Sequence, residues 1–280
     1  MGTMTKTPAL HVGRAIEVGA VTLFPVWTDA PGVRGVQTGT AASVAVTELV
    51  DGATVGALVV ENLGAKPVLL LEGELLEGGW QTRVLVRDVI LAPRETRAVE
   101  VACVEQNRWA GATVHDRRGR SATNSVKAAL RTTDRQARVW DDVRRFEAAL
   151  GVTATSSLAD HLDRVPPAVV PRPLPGQSGV IVGVAGQPIA LELFGSRSAL
   201  AAQLPGIVEA ATLEAMMHPR AERVPARRVR RFAQAVERID WQPEVGDGAG
   251  QAWSAQSERA TLRALTVPGG GIAHVCAVTV

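Results

Sequence analysis

The feature that most constrains this fold is a change of apolar period along the chain. Between Val21 and Val104 the apolar residues come in short runs cut by Gly, Pro, Asn or Asp. Beyond Ser121 they recur at three- and four-residue spacing. A period near two marks strands and a period near 3.6 marks helices. The first stretch predicts strands over residues 21–27, 43–50, 54–61, 67–76, 81–91 and 97–104, joined by turns at Pro31-Gly32, Asn62–Lys66, Gly78-Gly79 and Pro93–Thr96. Short strands at that spacing indicate an antiparallel sheet, sandwich or partial barrel. On the last of them Val99, Val101 and Cys103 share one face, so Cys103 is expected to be an inert core thiol.

Helices are predicted from Ser121 to Leu130, from Asp134 to Leu150 with Gly151 as the stop, and from Ser156 or Ser157 to the Pro166-Pro167 pair. Five prolines in the eleven residues 166–176 predict a stiff linker or surface crossing. Beyond it, residues 179–184 and 188–194 flank Ala185-Gly186-Gln187 as a hairpin. A helical stretch opens at Ser196, where Pro205 should kink or restart it, and another covers 227–239. Strands at 252–257, 261–267 and 272–280 close the chain. The expected class is therefore α+β. Its β-rich half (1–165) would consist of an antiparallel or sandwich-like sheet packed with helices. An α/β half (177–280), a hairpin, helices and terminal strands, would complete it, the two forming either separate units or one composite domain.

Composition narrows the function. Hydrophobic residues make up 46% and charged residues 21% of the 280 positions, so the chain can fill a core and is not a disordered type. Only Met1 to Pro8 lacks apolar patterning and reads as a loose tail, without the features of a signal peptide. No apolar run approaches a membrane span, and a net charge of +2 argues against nucleic acid as the main partner. Cys103 and Cys276 are the two cysteines, far apart, which excludes a disulfide scaffold and any Cys-x-x-Cys site; a cytoplasmic setting is expected. No histidine or carboxylate trio stands at metal-ligand spacing, so no metal site is expected and no cofactor is named. Phosphate-loop, dinucleotide, zinc-protease and nucleophile-elbow motifs are absent.

Three features carry potential chemistry. In the run Leu69–Arg83 (LLLEGELLEGGWQTR), Glu72 and Glu74 would share one strand face if the segment stays extended, as a carboxylate pair suited to acid/base work or to holding a metal cation, or as a solvent-facing edge. The run Cys103–Trp109 (CVEQNRW) sits where a strand ends: Glu105 could act as an acid or base, Gln106 offers an amide, Arg108 a planar fork and Trp109 a stacking face. Residues 105–145 hold ten Lys/Arg against five Asp/Glu, and within them His115, Arg117 and Arg118 suit an anion. His115 and His274 are candidate bases, and the Arg223–Arg231 run reads as a solvated helix face. If the strands around Gly78-Gly79 form a hairpin and the 97–104 strand pairs with it, Glu72, Glu74, Arg83, Glu105 and Arg108 should converge in one pocket.

These motifs resemble the ARPP domain, the ADP-ribosylglycohydrolase- and rhodanese/phosphatase-associated protein family. The resemblance rests on Leu69–Arg83, Cys103–Trp109, Arg138–Val143 (RVWDDV) and Leu191–Ser196 (LELFGS), and departs from the family at Thr82 and Asn107. It implies the company of ADP-ribose-processing proteins and of NAD chemistry. Two readings follow. One is a non-catalytic or accessory module binding a phosphorylated metabolite such as ADP-ribose or an NAD-related nucleotide through Trp80, Gln81, Arg83, Gln106, Arg108, Trp109, His115, Arg117 and Arg118. The other is an enzyme on such metabolites, with Glu72, Glu74 and Glu105 as the catalytic groups.

Overall fold

The computed structural model describes residue 4 and residues 6–219, 221–246 and 248–280. Its strands are β1 (Leu10–Val12), β2 (Ile16–Val18), β3 (Val21–Thr28), β4 (Val44–Thr47), β5 (Ala57–Asn62), β6 (Val68–Leu70), β7 (Leu75–Gly78), β8 (Arg83–Leu85), β9 (Val89–Leu91), β10 (Thr96–Cys103) and β11 (His115–Asp116). Helices α1 (Asn124–Leu130), α2 (Arg135–Leu150) and α3 (Leu158–Leu162) follow. Next come β12 (Gly179–Val184), β13 (Gln187–Phe194), α4 (Arg197–Met216) and α5 (Ala226–Arg238). The chain closes with β14 (Gln242–Glu244), β15 (Gln251–Gln256), β16 (Ala260–Thr266) and β17 (Ile272–Thr279). The α+β class is as expected.

Two large antiparallel systems organise most of these strands, and β6 and β9 pair separately. One sheet runs β1-β3-β12-β13-β17-β16-β15-β14, with β2 also on β3. The opening strands thus join a sheet otherwise built by the last hundred residues, and β12 is hydrogen-bonded between β3 and β13. Helix α4 buries Leu200, Leu204, Val208 and Ala211 in the core cluster that contains Val180 and Val182 of the sheet. Helix α5 buries Val229, Ala233 and Val236 with Ile181, Leu191 and Val275 from the alternate strand positions, so the two helices cover opposite faces.

The second system, β11-β7-β8-β10-β5-β4, curls until its edges meet. A Thr47–Val114 bridge and the Glu48 amide donating to the Thr113 carbonyl at 2.8 Å nearly close it into a barrel. Its interior holds Val46, Leu58, Val60, Leu76, Leu85, Val99 and Val101. The intervening positions Leu75, Val84, Ala102 and Val104 face outward, where α1, α2 and α3 cover them.

Several expectations need correction. The stretch 67–76 is not one strand: Gly73 has φ +82°, which an L side chain rarely adopts, and separates β6 from β7. A Cβ there would also stand 2.7 Å from Lys127 Cε. Glu72 and Glu74 therefore do not share a strand face. The stretch 81–91 likewise splits into β8 and β9 at Arg87-Asp88. Helix α1 is capped by Thr123, whose side chain accepts from the Val126 amide, and not by Ser121. Asp134 occupies the cap of α2 without a side-chain cap bond, its carboxylate binding Arg138 instead. Pro205 neither stops nor restarts α4, because the helix is anchored along its length in the sheet's core. The amino-terminal tail is tied down where described: Met4 is buried with α5, and the Thr7 hydroxyl donates to the Val236 carbonyl at 3.0 Å. The rest of that stretch, residues 1–3 and 5, lies outside the described residues. Residues 166–174 form no helix or strand and are largely exposed.

Candidate functional site

The end of the barrel closed by the Gly78-Gly79 turn gathers most of the sequence-predicted residues. Arg83 begins β8, paired with Leu76 on one side and Cys103 on the other. It lies two positions before the interior residue Leu85, so its side chain also points inward. Arg83 is 0% exposed. Its Nη1 donates to Gln81 Oε1 at 2.7 Å, but its Nε has no partner among the described residues. Burial lowers this guanidinium below the ordinary arginine range, opposed by Cys103, Glu48 and Glu105. The Trp109 ring lies over it, centroid to Cζ 5.5 Å, within cation–π reach. Trp80 meets Trp109 edge-on at 5.4 Å, and Trp109 is itself 46% exposed.

Glu105 and Arg108 frame the mouth. Both Glu105 oxygens are held by Arg108, from Nε at 2.7 Å and Nη2 at 2.6 Å, and Oε2 also accepts from the Thr82 amide at 2.8 Å. Burial pushes the carboxyl up, but Arg108 and the Thr82 amide outweigh it, and its pKa is lowered. The same hydrogen bonds raise that of Arg108. Arg108 donates further to the carbonyls of Gly78, Gly79 and Ala110, so it staples the turn to the end of β10. Gly79 is forced: φ is +56°, and a Cβ there would fall inside the His115 ring. His115 is buried, its Nε2 3.0 Å from Glu48 Oε1, while Glu48 Oε2 lacks a partner among the described residues. Glu48 also accepts from the Trp80 amide at 3.2 Å. Cys103 is buried beside Gln81, and burial raises its thiol, as an inert core cysteine requires. Gln106 is exposed at the rim.

The remaining candidates go elsewhere. Glu74 is paired with Arg117 at 2.7 Å, and Arg117 also binds the Gly39 and Ala42 carbonyls. Arg118 is 60% exposed, with one long contact of 3.4 Å to Glu77. Glu72 belongs to a second buried cluster between barrel and large sheet. There Arg131 at 2.5 Å and Arg263 at 2.7 Å take its two oxygens, and its amide donates to Asp88 at 2.7 Å. Asp88 binds His274 Nδ1 at 2.7 Å, His274 Nε2 binds Glu192 at 2.8 Å, and Lys127 Nζ donates to Glu192 at 2.6 Å. Burial opposes the charges of Asp88, Lys127, Arg131, Glu192 and His274, yet their partners prevail. His274 is raised to about 9 by Asp88 and Glu192, and Glu192 is lowered to about 2 by Lys127 and His274.

Sequence reasoning missed Glu48, Asp88, Lys127, Arg131, Glu192 and Arg263. Glu192 had a visible signal, a lone carboxylate within the apolar strand Ile189–Phe194, and Lys127 and Arg131 had only their place in the basic run 105–145. Among the described residues no group of three His, Cys, Asp or Glu could hold a metal ion.

The motifs at the barrel mouth and along Leu191–Ser196 fall within a match over residues 9–278 to the ARG and Rhodanese-Phosphatase-superfamily-associated Protein domain, ARPP-1. The chain belongs to that family. No curated protein and no solved structure matches it. Among its described residues this ARPP-1 chain has no helix long and apolar enough to cross a membrane.

Proposed function

We propose that this ARPP-1 protein is a non-catalytic binding module for a phosphorylated, base-bearing metabolite such as ADP-ribose or an NAD-related nucleotide, serving ADP-ribose-processing proteins, and that the barrel mouth is its site. One observation carries the choice of binding over catalysis: each of the three carboxylates that the sequence singles out for acid/base work is engaged by arginine. Glu72 has two arginines, Glu74 has Arg117, and Glu105 is gripped at both oxygens by Arg108. Glu105 is held below the usual carboxylate range, the wrong direction for a general acid near neutral pH.

Recognition groups, by contrast, remain available. Nearly half of Trp109 faces solvent above a buried cation, a stacking surface for a base. Arg108, 28% exposed at the mouth next to Trp109 in the chain, is the arginine there that would meet phosphate. Barrel mouths are frequent ligand sites.

The test is tryptophan fluorescence during titration with ADP-ribose and with NAD, using adenosine and inorganic phosphate as controls. Saturable quenching by the two nucleotides is expected, weakened at least about tenfold by Trp109→Ala and by raised salt. An unchanged affinity in Trp109→Ala would remove the site. Turnover of either nucleotide by the protein would replace the binding reading with the enzymatic one.

A further inference from the structure

Far from the barrel mouth, a cavity of about 280 Å³ lies between α5 and the β15–β16 hairpin. Its floor is apolar: Phe232 from α5, Ile239 just beyond its end, and Leu262 from β16. Three arginines line it, Arg228 and Arg231 from α5 and Arg259 from the hairpin turn, and no acidic side chain among the described residues does. Arg228 donates one Nη1 bond to the Gly186 carbonyl at 2.7 Å. The guanidiniums of Arg231 and Arg259 form no hydrogen bond or ion pair among the described residues. In sequence these α5 arginines belong to a run that reads as a solvated face. The structure leaves Arg227, Arg230 and Arg231 exposed, and Arg228 and Arg231 border, with Arg259 from a different element, a concave apolar surface.

We infer that this cavity is a binding site for a small amphipathic anion, an organic carboxylate or phosphate monoester carrying an apolar body. Two opposing demands select that class. Three like charges around one concavity repel one another, and an anion relieves the repulsion. A bare inorganic ion would leave the Phe232, Ile239 and Leu262 surface wet, whereas an apolar body removes that surface from water. A neutral apolar molecule would leave the charges unanswered, and a cation would add to them. Helix α5 supplies both halves because its core-facing side is occupied by Val229, Ala233 and Val236. Phe232 and Ile239 are left on the shoulder next to the arginines.

The test is independent of the barrel mouth. The intact protein is titrated with the fluorescent anion anilinonaphthalene sulfonate, which is then displaced with decanoate, decyltrimethylammonium or inorganic phosphate. Decanoate should displace the probe and raise the melting temperature, while the cation of the same chain length and phosphate should not. The exposed pair Arg231→Glu, Arg259→Glu should weaken decanoate at least about tenfold, and Ala235→Trp, which fills the cavity without altering charge, should abolish it. Trp109→Ala should leave it unchanged. Equal displacement by decanoate and decyltrimethylammonium, or an unaltered affinity in both cavity variants, overturns the proposal. Binding to phosphatidylserine vesicles that is lost in the arginine pair, without binding of free decanoate, overturns it in favour of a membrane surface.

Discussion

The joint between barrel and sheet and the mouth of the barrel are both buried clusters of charge, yet they are finished differently. At the joint, Glu72, Asp88 and Glu192 meet Arg131, Arg263, Lys127 and His274, and every carboxylate is engaged by more than one donor. At the mouth, Arg83 Nε and Glu48 Oε2 are buried without partners among the described residues. A buried charge is tolerable when paired and fully hydrogen-bonded, and costly when it is not. The joint is thus built to hold two sheets in register. The mouth leaves polar capacity unused at the place where Trp109 is exposed. The contrast teaches that charge density alone does not locate a site; unsatisfied charge next to an open surface is the better guide.

The comparison can be broken most sharply at Glu72. Glu72→Ala strands two arginines in a buried setting and should cost about 3–5 kcal/mol in denaturant unfolding. A loss below about 1 kcal/mol would mean that the joint is not a structural weld. The next effect is pH dependence. His274 moves from an ordinary value near 6.5 to about 9 in the fold. Its contribution is therefore fully present below pH 6.5 and lost as pH rises through 9, about 3 kcal/mol in all. Glu192, lowered to about 2, acts oppositely: its contribution is present above its ordinary 4.5 and fades as pH falls toward 2. Melting temperature should accordingly decline on both sides of the window between pH 4.5 and 6.5, and His274→Asn should flatten the alkaline limb.

A smaller effect is expected at the mouth. Arg83→Met removes a half-satisfied buried cation, so stability should change by less than about 1 kcal/mol, while nucleotide quenching of Trp109 weakens several-fold. A loss comparable to that of Glu72→Ala would erase the distinction between the two clusters. The smallest effect concerns the thiols: Cys103 and Cys276 are both buried, with Cys276 raised to about 12, so neither should react with a thiol reagent in the native protein. Rapid labelling of Cys103 alone would reveal an opening mouth.

Much of this was legible beforehand. The strand β10, the β12–β13 hairpin, α2 with its Gly151 stop, and the three closing strands follow from apolar period and turn chemistry. The pairing of β8 with both β7 and β10 follows from short connections, which is why Arg83, Glu105 and Arg108 could be expected near one another. The break at Gly73 was not legible, because Leu-Leu-Leu-Glu-Gly-Glu-Leu-Leu is compatible with a continuous strand. The break is made at Gly73 by its positive φ, and Lys127, from more than fifty residues away, packs where a side chain there would stand.

The sequence by itself determined the local elements and the family to which the chain belongs, since both are written in short-range patterns of size, polarity and turn residues. Tertiary structure alone decided which charges meet. Glu72 is joined to Arg263 across 191 positions and His274 to Asp88 across 186. Pairings at such separation depend on how the two sheets stack. That stacking is set by the summed burial of apolar faces, which encode no address for any individual carboxylate or arginine.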